Sequence, residues 1–292
     1  MAPSWVYSHC NYDKSYTKHN VYVLGWTTGL GEIFIYQTFL RDKWIRQKPF
    51  PAQHEAILSC NLPIYPALGE DQQHRLKQLI LLFLTRKQFY GCAGLEITDE
   101  IRITIAGQAC LLLLNKGWQT YPKLLSVLVY PSAFRAERDQ MQDNGTVAIA
   151  RHDLLGESWS NGKVILSWDD VEKGVSDFGD GHNVVLHEFA HQLDGLSGST
   201  NGAPPLRSNS YQSWARVFTE NFEDLRHRSQ HGLATVMDQY GTTNPAEFFA
   251  VATEAFFEQP QQLHKVRPEL FAELQAYYRL DPREWHPGNE SA

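Results

Sequence analysis

Two histidines four residues apart sit inside an almost wholly apolar stretch, and nothing else in the chain limits its fold as tightly. Val184, Val185, Leu186, Phe189, Ala190 and Leu193 surround the run His187-Glu188-Phe189-Ala190-His191. An apolar surround on every side marks a helix buried in a core. At about 100° per residue, His187 and His191 lie about 40° apart on such a helix, so both imidazoles face one point. Glu188 stands about 100° round from His187 and points beside that position. Burying two imidazoles and a carboxylate is costly unless something pairs them. A metal ion is the simplest partner, because H-E-x-x-H spacing offers two nitrogen ligands to zinc and sets a glutamate beside it as a base for water. The other reading is a core helix whose histidines bond to protein groups.

Composition narrows the class. With 292 residues, 42% of them hydrophobic and 20% charged, the chain is globular and long enough for one large domain or two small ones. A net charge of −7 without a long basic stripe argues against a nucleic-acid partner. Cys10, Cys60, Cys92 and Cys110 form no C-x-x-C pair, so neither a zinc ribbon nor a dense disulfide framework is indicated. Cys110, before Leu111–Leu114, reads as a small core residue, and Cys92, among Gly91, Ala93 and Gly94, as part of a loop. No secretory signal is evident, and a reducing cytoplasm is the expected compartment.

Residues 1–50 read as an N-terminal extension. Val21 to Leu40 is rather apolar, and Arg41, Lys43, Arg46 and Lys48 follow it as an anchor's flank would. Glu32, Gln37, Thr27 and Thr28 weigh against a membrane span, since a mid-membrane carboxylate costs about 2.5–3.5 kcal/mol.

From Pro51 the pattern becomes regular and α+β in class: mainly helical, with a small sheet just upstream of the histidine helix. Helices are expected at 53–60 and 71–89, and another opened by Thr98 and running to the Lys116-Gly117 stop. Strands are expected at Leu125–Tyr130, Thr146–Arg151 and Lys163–Trp168. Asn161-Gly162 before the last of these signals a hairpin, so the sheet is expected to be antiparallel. An edge strand there would hold extended peptide by main-chain hydrogen bonds; an ordinary core sheet is the alternative. Further helices are expected at Tyr211–Arg228, from Asn244-Pro245 to about Glu258, and at 267–280, with 283–292 a polar tail.

A catalytic zinc site typically has three protein ligands, so a third must lie elsewhere. A metzincin would place Gly and His three and six residues after the second histidine, where this chain has Asp194 and Ser197. A glutamate from a later helix remains, and the candidates are Glu220, Glu223, Glu247, Glu254 and Glu258. Glu220 and Glu223 lie among Arg216, Asp224, Arg226 and Arg228 on a solvated face. Glu247 and Glu254 are seven apart, on one stripe of an apolar helix. With Asn244 as N-cap and Pro245 at N1, Glu247 also falls at the reciprocal position of a capping box. Spacing favours Glu247 and leaves Glu254 open. Asp194, seven residues after His187, reads either as a carboxylate that orients a ligand histidine or as a solvated helix end.

Three segments in order carry a resemblance. GESWSNGKVILSW at Gly156–Trp168, NVVLHEFAHQLD at Asn183–Asp194 and NPAEFFAVATEAFF at Asn244–Phe257 resemble the Mlc titration factor A family of zinc-dependent peptidases. The likeness runs from about Pro51 to Pro282, which makes 51–282 the peptidase domain. It implies a gluzincin-like enzyme holding one zinc ion per chain through His187, His191 and Glu247, with Glu188 as general base. The family's tyrosine ahead of P-A-E corresponds to Tyr240, which could donate to the developing oxyanion; a packing role for that ring is the alternative.

The implied activity is peptide hydrolysis, with aminopeptidase-like and endopeptidase action both open. A second class is also implied, because the family includes a factor that binds and titrates a transcriptional repressor; a repressor protein is then the partner and zinc chemistry is secondary. A purely structural zinc is disfavoured, since such sites usually have four closed ligands and often cysteines.

Overall fold

The computed structural model describes residues 40–132 and 162–286. Residues 40–46 are helical, followed by α1 (Ala52–Asn61) and α2 (Glu70–Arg86). Leu76, Leu79, Ile80 and Phe83 share the buried face of α2, while Glu70 and Asp71 in its first turn and Arg86 in its last suit the helix dipole. The helix stops at Arg86 rather than 89. Lys87 is buried there, and its Nζ donates to the carbonyls of Tyr121 (2.7 Å) and Leu124 (2.6 Å). The chain then enters strand β1 (Gln88–Gly91) alongside the segment that leads into β2 (Ser126–Tyr130).

Between these strands lies α3 (Asp99–Leu111), started by Thr98, whose Oγ1 accepts the Ile101 N–H at 3.2 Å. Together with β3 (Lys163–Ser167), the strands form a sheet in the order β1-β2-β3. The sheet is parallel throughout, with Gln88 opposite Ser126 and Ser126 opposite Lys163, which corrects the antiparallel expectation. A parallel pair needs a crossover of a dozen or more residues, and the α3 segment provides one between β1 and β2. All five residues of β2 are buried, as in a strand covered on both faces. Gly162 does take a left-handed conformation (φ 70°). Its carbonyl accepts from Leu125 N–H (2.7 Å) and Ser126 N–H (3.2 Å), and so delivers β3 beside β2 in the same direction. The strand expected at Thr146–Arg151 lies outside the described residues.

After β3 come α4 (Trp168–Ser176), α5 (Val184–Asp194), α6 (Tyr211–Gln230) and α7 (Pro245–Glu258). Two shorter helices follow, α8 (Pro260–Val266) and α9 (Pro268–Tyr278). The reading of the sequence lacked α8, which Pro260 starts immediately after α7. Helix α5 packs along α7 and also touches α3, α4 and β3. Phe189 seats it, fully buried against Phe83 (centroids 5.7 Å) and Tyr121 (4.8 Å). Removing a buried ring of this kind costs about 3–5 kcal/mol, so the helix is held firmly from its core side. Trp285 is buried too, and its Nε1 donates to Gln72 Oε1 at 3.1 Å. Among the described residues no helix is long and apolar enough to cross a membrane; residues 21–39 lie outside them.

Candidate metal centre

Asn183 opens α5, its Oδ1 accepting the N–H groups of Val185 (3.1 Å) and Leu186 (3.0 Å). The helix then runs through the histidine motif and presents both imidazoles on one face, Nε2 to Nε2 at 3.2 Å. Asn244 opens α7 in the same way, accepting from Ala246 N–H (2.9 Å) and Glu247 N–H (3.0 Å), with Pro245 at the first helical position. The Glu247 side chain turns to the histidines: Oε2 is 2.9 Å from His187 Nε2 and 3.3 Å from His191 Nε2. Ligand-type atoms of His187, His191 and Glu247 all lie within 4.8 Å of one another. Two imidazole nitrogens and a carboxylate oxygen form a donor set that suits zinc and related divalent ions.

The three groups share one buried spot, yet their proton affinities diverge. Burial alone would lower the His187 pKa, but the Glu254 charge and hydrogen bonds to Glu247 and Glu254 outweigh it and raise the value well above the usual one. His191 goes the other way, to about 4, through burial and the neighbouring His187. Burial tends to raise Glu247, while hydrogen bonds to His187 and His191 pull it down to about 2. Glu247 and the two imidazoles thus compete for protons at the spot where they would share a metal cation.

Glu188 is buried at 3% exposure, close enough to His187 to add to the raising of its pKa. Tyr240 lies on a single 3-10 turn, Gln239–Thr242, with its ring centroid 5.9 Å from that of His187 and the side chain open to solvent. Asp238 orders this turn: Oδ1 accepts the Tyr240 N–H at 2.5 Å and Oδ2 lies 3.2 Å from His182 Nδ1. Two cavities stand out: the first is lined by Glu247 itself, and the second by the Asp238 turn rather than by the His-His-Glu cluster. The first, of ≈300 Å³, is lined by Thr200, Asn201 and Asn244 to Glu247. The second, ≈560 Å³, is lined by Asp180, His182, Asp238 and Gln239, among others.

The remaining acidic candidates separate clearly. Glu220 pairs with Arg216 (3.0 Å) and Glu223 with Arg226 (3.6 Å) on the exposed side of α6. Asp194 is fully buried rather than solvated; Oδ2 accepts the Gly202 N–H at 2.7 Å, and burial raises its pKa to about 6 against the loop amides that lower it. Its hydrogen bond serves the loop at 200–203. Gly202 has φ 79°, and a Cβ there would come within 2.4 Å of the Pro245 carbonyl, so that loop packs closely on the start of α7. Glu254 reaches the other edge of the His187 ring, Oε1 to Nδ1 at 2.7 Å, while its Oε2 accepts the Asn183 N–H at 2.5 Å. Glu258 accepts from Gly181 N–H and Asn183 Nδ2, both at 3.0 Å. Asn183 is thus the hub that the reading of the sequence missed, although an Asn directly before an apolar helical run is an N-cap signal.

Comparison with known proteins finds relatives over most of the chain. The family model of glucose-regulated metallo-peptidase M90 matches residues 36–279. An uncharacterized protein of Synechocystis sp. is 43% identical over 244 residues, covering 83% of this chain and 89% of its own length. Mlc titration factor A of Yersinia pestis is 31% identical over 232 residues, 78% of this chain and 84% of that protein, and the Yersinia pseudotuberculosis protein matches equally. A match over most of the chain, with a His-His-Glu cluster compatible with a metal ion inside it, places this protein in the glucose-regulated metallo-peptidase M90 family, to which its likeness to Mlc titration factor A also points.

Proposed function

We propose that the protein is a zinc-dependent peptidase of gluzincin type, acting in the cytoplasm, with its catalytic domain at 51–282 and residues 1–50 and 283–292 as flanking segments. The observation that carries this reading is the convergence of His187 Nε2, His191 Nε2 and Glu247 Oε2 from two separately capped helices. These three residues would hold the zinc ion. When bound, it would supply Lewis-acid polarisation of a peptide carbonyl.

The chain's own residues do the rest. Glu188, next to His187 on α5, takes a proton from the attacking water and returns it to the leaving amine nitrogen, so one water is consumed and an acid and an amine are released. Tyr240, whose ring lies beside that of His187, donates its hydroxyl hydrogen to the oxyanion as the carbonyl becomes tetrahedral. The cavity lined by Glu247 is where the chain on one side of the scissile bond would lie.

Cleavage of a mixed-sequence peptide library tests this reading. Hydrolysis should vanish on chelation, return with zinc and show whether cuts fall one residue from the N-terminus or internally. Metal-independent cleavage, or none under any loading, would defeat it. The name of the Yersinia relatives supports a second reading, capture of an Mlc-like repressor protein. Partner binding that survives chelation while hydrolysis does not would assign both roles to one chain.

A further inference from the structure

We propose that Glu254 is a positioning residue of the metal site, fixing the ring of His187 from its far edge. The assignment rests on the zinc reading above. Nδ1 and Nε2 lie on opposite edges of an imidazole, and here Nε2 faces Glu247 and His191 while Nδ1 meets Glu254 Oε1 at 2.7 Å. A proton held at Nδ1 and donated to that oxygen leaves the Nε2 lone pair directed at the metal. Glu254 itself has little freedom. It is 5% exposed, and its second oxygen accepts the Asn183 N–H, the residue that caps α5. One carboxylate therefore ties the start of the histidine helix, the ring of its first histidine and the middle of α7 together.

Two other buried acids show why the role belongs to Glu254. Asp194 is on α5 with the histidines but is occupied with the Gly202 loop. Glu258 lies one turn beyond Glu254 and holds Gly181 and the Asn183 side chain. It supports the same loop without reaching a histidine, and so separates support of the loop from orientation of the ring.

Zinc affinity, measured by competition with a chelator of known strength, tests the assignment, with cobalt(II) substituted in parallel so that its visible absorption reports the ligand field. Glu254→Gln should bind zinc about 10–100-fold more weakly and change the cobalt spectrum. Glu258→Gln should bind as the wild type does. Unchanged affinity and spectrum in Glu254→Gln would overturn the assignment, as would an equal loss in Glu258→Gln, which would point to the loop alone. Should Glu254→Gln not fold, Glu254→Asp keeps the charge but withdraws the oxygens by one methylene; it should bind more weakly, and wild-type affinity there would count against the role. A wild-type chain that binds neither metal overturns the zinc reading together with this one, whereas normal wild-type binding with an unaffected Glu254→Gln overturns this one alone.

Discussion

The two ends of α7 bury the same side chain and leave it in opposite states. Glu247 and Glu258 are each 3% exposed, eleven residues apart on one helix. Burial pushes both carboxyls up. At Glu247 the hydrogen bonds with His187 and His191 more than reverse that push and bring it to about 2. At Glu258 the partners are neutral amides, the nearby Glu254 charge adds to the rise, and the group stands at about 8. Burial alone therefore does not set the proton affinity of a carboxylate; what faces it does. Glu247 faces basic nitrogens that can share a cation with it, and Glu258 faces backbone and side-chain amides that only anchor a loop.

Replacing each glutamate tests that contrast, and the largest effect should be at the Glu247 end. Glu247→Ala should lose stoichiometric zinc and with it all hydrolysis, as metal analysis and peptide assay will read; zinc retained at full occupancy would instead favour Glu254 as ligand. Next, Glu188→Gln should keep zinc but lower kcat by about 10²–10⁴-fold, the usual worth of a general base, and full activity would remove Glu188 from the mechanism. Tyr240→Phe should lower kcat by up to about 10²–10³-fold with zinc content unchanged. A rise confined to KM would make the ring a binding surface.

The Glu258 end should show itself in stability. Its folded pKa of about 8 exceeds the ordinary 4.5, so the folded protein keeps a proton that the unfolded chain releases. That contribution is fully present below about pH 4.5 and is lost as pH rises through 8. Glu247 in the metal-free protein acts oppositely: its contribution is present above 4.5 and lost as pH falls through about 2. In chelator-treated protein, Glu258→Gln should flatten the fall of Tm between pH 5 and 8, by about 2–4 °C for each kcal/mol removed. An identical slope in both proteins would show that Glu258 is not the source. The smallest effect expected is that of Asn244→Ala, about 0.5–2 kcal/mol from the lost cap of α7. Chemical denaturation will measure it, and no loss at all would mean that water replaces the cap.

The histidine helix was legible because two imidazoles at i, i+4 in an apolar run are costly to bury unless they share a partner, and α5 spans that run. The choice between Glu247 and Glu254 was not legible from spacing, because seven residues return a side chain to the same stripe. Only the placement of the two rings distinguishes an oxygen at Nε2 from one at Nδ1. Asp194 misled in another way: its position seven after His187 suited a histidine partner, but the 200–203 loop folds back to take its carboxylate. The parallel sheet was hidden for a topological reason. Gln88–Gly91 is a four-residue strand that follows α2 with no Gly or Pro break, so Gln88 and Phe89 read as more helix and Gly91 as loop, and without the strand the strand-helix-strand alternation that signals a crossover was lost.

The central claim is that His187, His191 and Glu247 together hold one metal ion, and anomalous diffraction at the zinc edge from crystals of the zinc-loaded protein tests it most directly. A single peak about 2.0–2.2 Å from both histidine nitrogens and a Glu247 oxygen is the result expected. A peak bound to Glu254 in place of Glu247, or none near the two histidines, would contradict it.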